Sequence, residues 1–110
     1  MKPEPPSAVV VNERDNVATS LRTLRSGDAV GLKVGSSTVD VMLRDGIIPG
    51  HKFAIVEIKR GDHVIKFGQV IGQATRDIKA GEHVHVHNVA SLHGRSGDSG
   101  DAPRRDSVMA

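Results

Sequence analysis

The residues best suited to chemistry lie in one short run, Glu82-His83-Val84-His85-Val86-His87-Asn88. On a strand, side chains alternate between faces, so His83, His85 and His87 would share one face, with Val84 and Val86 turned to the core. Alternate residues of a strand sit roughly 6.5–7 Å apart, which lets an H-x-H pair such as His85 and His87 hold one metal ion. The exposed polar face of an edge strand would look the same and needs no metal. Gly50-His51-Lys52 is a second candidate. His51 follows a Pro-Gly turn and opens a strand, a place where catalytic groups are held; the plain alternative is a solvated loop histidine. Asp15-Asn16 is the third, at the expected start of a helix, where free backbone N–H groups bind anions or an ordinary N-cap sits. Lys66, Arg76 and Lys79 could bind a carboxylate or be solvated surface charges.

Composition narrows the chemistry. The 110 residues contain no cysteine, which excludes thiolate metal sites, disulfides and a Cys nucleophile. Phe53 and Phe67 are the only aromatic residues apart from histidine, so a base-stacking platform is not expected. Net charge is +2, with basic and acidic residues interleaved, so no phosphate-tracking stripe stands out. Neither a Gly-rich phosphate loop nor G-x-S-x-G occurs. Ala8-Val9-Val10-Val11 is too short for a signal or membrane segment. The expectation is a cytoplasmic protein that binds neither nucleic acid nor membrane.

The elements that must position these groups read as mostly β. Three prolines make residues 1–7 a flexible arm. Strands are expected at Ala8 to Asn12, Val30 to Val34, Thr38 to Leu43, His51 to Ile58, His63 to Phe67 and Glu82 to His87. Val17, Ala18, Leu21 and Leu24, between Asp15-Asn16 and Gly27, predict one short helix. A repeat runs through the chain: Ile58-Lys59-Arg60-Gly61-Asp62-His63-Val64 matches Ile78-Lys79-Ala80-Gly81-Glu82-His83-Val84 and, more weakly, Leu24-Arg25-Ser26-Gly27-Asp28-Ala29-Val30. Each unit implies a tight turn with Gly at positive φ, then a strand whose first inward residue is Val. His63 and His83 share one slot of the repeat and read as turn residues, whereas His85 and His87 replace Ile65 and Phe67. The folded domain is expected over residues 8–93. Residues 94–110, rich in Gly, Ser, Asp and Arg, predict a disordered tail.

Gly50-His51-Lys52, Ile65-Lys66-Phe67-Gly68-Gln69-Val70-Ile71-Gly72 and Gly81-Glu82-His83-Val84-His85-Val86-His87-Asn88, in this order, resemble the SAF-type N-terminal domain of altronate and galactarate dehydratases. The resemblance runs from about Val10 to Val89, although the family commonly has Tyr where Phe67 stands. It implies a small SAF-like β-clip fold of short bent strands. It also implies the small subunit of a hydro-lyase, inactive without a larger dehydratase subunit, that removes water from a sugar acid or related hydroxy acid. The implied cofactor is a divalent metal, Fe(II) or Mn(II). On this resemblance His51, His85 and His87 are the catalytic residues, with His85 and His87 on the metal. Asp15, Asn16, Lys52, Lys66 and Asn88 are the substrate-binding residues. Two further readings stay open: a non-catalytic SAF binding or accessory module, and the small subunit of a sulfolactate sulfo-lyase-type enzyme.

Overall fold

The computed structural model describes residues 6–91. Most of the expected arm (1–7) and the whole expected tail (94–110) lie outside the described residues. Nine short strands run in chain order: β1 (Ala8–Val9), β2 (Val17–Ser20), β3 (Ala29–Val34), β4 (Ser37–Met42), β5 (Lys52–Ala54), β6 (His63–Lys66), β7 (Gln69–Ala74), β8 (His83–Val84) and β9 (Val89–Ala90). They form an antiparallel four-stranded sheet in the order β1-β2-β5-β8, a β3-β4 hairpin and a three-stranded β6-β7-β9 sheet. This is the mostly β architecture expected from the sequence.

The expected short helix is absent: among the described residues there is no helix, and Val17–Ser20 is a strand. The reason is a pair of cores. Val17 packs with Ala54, Ile58, Val64, Ala74, Ile78 and Val84, whereas its neighbour Ala18 packs with Leu24, Val30, Leu32, Val41, Leu43, Ile47 and Phe53. Burying successive residues on opposite sides requires a period of two. Phe53 and Ala54 of β5 divide between the same two cores. The two central strands are thus a wall with an apolar cluster on each side, and Leu21, which a helix would have turned inward, is half exposed.

Each core is capped by a hairpin arm, and the repeat accounts for both. At Gly27, Gly61 and Gly81 the backbone is left-handed, with φ of 94°, 92° and 92°. The acidic residue that follows turns its carboxylate back onto the backbone N–H three positions earlier: Asp28 to Arg25 (2.9 Å), Asp62 to Lys59 (3.2 Å) and Glu82 to Lys79 (3.1 Å). Each glycine N–H also donates to the carbonyl of a crossing residue, whose own N–H returns a bond to the acidic residue's carbonyl; Leu43, Ala74 and Ala54 play this crossing part. A fourth copy, not evident from composition, is Ile47-Ile48-Pro49-Gly50-His51-Lys52-Phe53. Gly50 has φ 85°, and Gly50 and His51 exchange the same two bonds with Ser20. Leu24 bridges to Ile47, and Ile58 to Ile78, so the four turns pair two by two, once under each arm.

Asp15 and Asn16 fasten the second arm instead of starting a helix. Asp15 is buried; its Oδ1 accepts the Gly68 N–H at 2.8 Å, and its Oδ2 accepts those of Val11 and Asn12. Gly68 follows Phe67 in the tight β6-β7 turn, where both residues have positive φ (54° and 76°), as a two-residue primed turn requires. Asn16 fills the bulge between Val64 and Ile65, accepting the Ile65 N–H at 2.8 Å and donating to the His63 carbonyl at 2.9 Å.

Candidate functional site

The β5–β8 pair builds the site. Its register sets Lys52 opposite Val84 and Phe53 opposite His83. Continuing the register by one step sets His51 opposite His85. The rings obey this: the His51 and His85 centroids are 4.4 Å apart and stacked. His83, diagonally across from His51, places its Nε2 2.9 Å from His51 Nδ1, a hydrogen bond between imidazoles. His83 and His85 stack at 5.5 Å. One ligand nitrogen from each of His51, His83 and His85 lies within 4.8 Å of the others. All three residues are half-buried.

The turn copy at Ile47–Phe53 explains why His51 is available. It stands in the slot that Asp28, Asp62 and Glu82 fill in the other copies, where the side chain caps its own turn. The His51 ring instead reaches across to His83.

Asn88 shapes the other side. It is fully buried. Its Oδ1 accepts the His85 N–H at 3.0 Å, its Nδ2 donates to the His83 carbonyl at 2.8 Å, and its N–H donates to the His85 carbonyl at 3.1 Å. These bonds end β8 at Val84 and fold 85–88 into a turn. The expected strand from Glu82 to His87 is therefore too long. Val84 is buried as expected, but Val86 is 82% exposed. His87 sits in the turn, exposed, its ring centroid 5.3 Å from that of His83. The Asp45 carboxylate fixes the start of β8 by accepting the His83 N–H at 2.9 Å.

Two of the imidazoles, His83 and His85, are shifted toward the neutral form. Burial pushes the His83 ring below the ordinary histidine value, and His51, His87 and His85 push it further. Burial also lowers His85, followed by His51, Lys52 and His87. Lys52 is itself held below the usual lysine range, by burial first and then by the charge of Lys66. Lys66 lies over the Phe67 ring, with its Nζ 4.8 Å from the centroid. Beside the imidazoles is a shallow groove of about 180 Å³, lined by Lys52, His85, Val86, Ile71, Val84, Val89 and Ser91.

Of the residues singled out from sequence, His51, His85 and Lys52 therefore come together, with His87 at the margin and Lys66 acting on Lys52 through its charge. Asp15, Asn16 and Asn88 were expected to bind substrate. Their side-chain oxygens and amides bond the chain's own backbone, and Asn88 has no exposed surface. His83 is the residue that sequence reading passed over. It shares a repeat slot with exposed His63, but His63 faces Gln73 across its hairpin whereas His83 meets His51. The fourth turn copy, with histidine in place of the acid, was the signal that could have found it.

Comparison with known proteins gives the family of the domain. Residues 6–92 match the family model described as the altronate/galactarate dehydratase SAF domain. Altronate dehydratase of Bacillus subtilis (strain 168) is 38% identical over 82 residues, which is 74% of this chain and 16% of that protein. Altronate dehydratase of Escherichia coli (strain K12) is 44% identical over 80 residues, 73% of this chain and 15% of that protein. The (2R)-sulfolactate sulfo-lyase subunit alpha of Chromohalobacter salexigens is 44% identical over 52 residues, 47% of this chain and 55% of that one. The chain thus spans about one-sixth of the altronate dehydratases it matches. It belongs to the SAF domain family of altronate and galactarate dehydratases.

Proposed function

We propose that this chain is the small subunit of a cytoplasmic hydro-lyase that removes water from a sugar acid or related hydroxy acid together with a larger catalytic subunit. The observation that carries the reading is the joining of three imidazoles and the Lys52 ammonium on one edge of the domain, beside a groove of about 180 Å³. Enclosing sites for small ligands run from about 300 Å³ upward, so a groove of this size would need another surface to enclose a sugar acid.

The residue types fit the chemistry. A base removes the proton from the carbon next to the carboxylate, its electron pair forms the C=C bond, and the β-hydroxyl leaves as water with a proton from an acid. Histidines near neutral pH serve either step. His85 borders the groove and has its pKa lowered, first by burial, which suits a base; His51, joined to His83, is placed to pass a proton along the pair. Lys52 lines the same groove, with a second cation, Lys66, near enough to act on it. Two cations here favour a substrate carboxylate. A divalent metal, Fe(II) or Mn(II), would disperse the negative charge that builds on that carboxylate.

The test is reconstitution with the larger subunit, using a panel of sugar acids. We expect no turnover by the 110-residue chain alone and turnover by the pair. Turnover by the chain alone, or turnover by the larger subunit alone that the chain does not increase, would defeat the reading; in the latter case the chain is an accessory module. Sulfolactate belongs in the panel, because one relative carries the name of a sulfo-lyase subunit. Release of sulfite in place of water would move the assignment to that leaving group.

A further inference from the structure

We infer that His51, His83 and His85 form a three-nitrogen site for one first-row divalent transition-metal ion. Sequence spacing pointed to His85 with His87; the folded chain favours a different set. This inference stands on geometry and is independent of the lyase reading.

The nitrogens that could bind lie within 4.8 Å of one another. Metal–imidazole bonds of about 2.0–2.1 Å place neighbouring ligand nitrogens roughly 3.0–3.4 Å apart. The His51–His83 pair, at 2.9 Å, is slightly inside this spacing. His85 is stacked 4.4 Å from His51, so its ring would turn to aim a nitrogen at the same ion. The His51 and His83 rings would also have to turn to aim both lone pairs at the ion, because a 2.9 Å hydrogen bond leaves no room for a metal between the nitrogens.

The backbone beneath the three rings is held. His51 follows a left-handed glycine in a turn locked to Ser20 by two hydrogen bonds. Buried Asn88 grips both His83 and His85, and Asp45 fixes the His83 N–H. Preorganised ligands lower the ordering cost of binding. Three imidazoles without a thiolate suit ions such as Zn(II), Co(II) or Fe(II), and leave coordination positions for water or a substrate oxygen. His87 is exposed in the turn beyond His85, and His63 faces Gln73 on another hairpin; neither belongs to the set.

The experiment uses the full chain without a polyhistidine tag, stripped with chelator and titrated with Co(II) and Zn(II). Calorimetry reads stoichiometry and affinity, and visible absorption reads Co(II) coordination. One ion per chain is expected, with Co(II) bands of nitrogen ligation. His51→Ala, His83→Ala and His85→Ala should each weaken binding by about 100-fold or more, at least the upper end of what losing a supporting residue costs. His63→Ala and His87→Ala should keep stoichiometry and affinity. Circular dichroism checks folding, and a Gln replacement is used for any Ala variant that unfolds. Absence of saturable binding overturns the site. So does full binding by His83→Ala, or loss with His87→Ala equal to that with His83→Ala.

Discussion

At the scale of single residues, Asn88 shows how a polar side chain earns a place with no exposure. Its amide supplies both an acceptor and a donor to the His83–His85 backbone. Removing it would leave a part-buried N–H and a part-buried carbonyl unpaired, at about 1 kcal/mol or more each. Asn88→Ala should therefore lower the melting temperature by roughly 8 °C or more, with about 4–8 °C expected per kcal/mol in a domain this size. Thermal unfolding followed by circular dichroism measures this, and an unchanged midpoint would show that the turn holds without the amide. The histidines add a dependence on pH. His83 and His85 have folded pKa values below the unfolded one, so their neutral forms contribute stability above the unfolded value. That stability is lost as pH falls through the folded values, because the unfolded chain then binds protons more readily. The metal-free protein should lose stability below about pH 6.5, and a His83→Gln, His85→Gln variant should lose less. Equal acid slopes for the two proteins would contradict it. His85 and His51 were legible from sequence because each stands out locally, in H-x-H-N and after Pro-Gly. His83 was not, since its partner lies 32 residues away and only the β5–β8 register joins them.

The turn is the unit at the scale of elements. The aliphatic–basic–x–Gly–acidic–x–Val repeat was readable because the local bonds of the turn demand those residue types. The helix expected between Asp15 and Gly27 failed for a nonlocal reason. Val17, Leu21 and Leu24 have helical spacing, but two separate cores bury Val17 and Ala18 on opposite sides, a demand that no short window displays. Gly61 and Gly81 offer a controlled comparison, since both have φ of 92°. A Cβ on Gly61 would meet nothing within 4 Å, whereas one on Gly81 would collide with the Met42 carbonyl and crowd the Arg44 N–H. Gly61→Ala should cost about 1–2 kcal/mol, the strain of a left-handed alanine. Gly81→Ala should cost clearly more, because the Met42–Arg44 backbone must move while Arg44 N–H bonds the Gly81 carbonyl. Denaturant midpoints decide it: equal losses would mean that the Gly81 turn is not seated against β4.

On the scale of the whole molecule, the candidate site lies at an edge that carries exposed apolar groups. Val86 is 82% exposed in the turn between His85 and His87, and Ile48, 55% exposed, sits three residues before His51. In the altronate dehydratases the matching segment is only 15–16% of the chain, so most of those proteins lies outside it. If a larger subunit completes the groove here, Val86 is the side chain it would cover first, because Val86 lines the groove and no described residue buries it. Full burial of a valine contributes about 1.5 kcal/mol or more, close to a factor of ten in affinity. Val86→Asp also forces a charge into the covered surface, so association with the larger subunit should weaken by at least about tenfold. The free domain should be unaffected, since exposed substitutions usually change stability by less than about 0.5 kcal/mol. Binding measured by surface-immobilised titration, alongside the melting temperature of the free chain, separates the two effects. Unchanged affinity would mean that the larger subunit docks elsewhere and the imidazole edge faces solvent in the assembly. Weakened affinity with an unchanged melting temperature would mean that the turn which Asn88 folds carries both His85 and the contact that encloses the site.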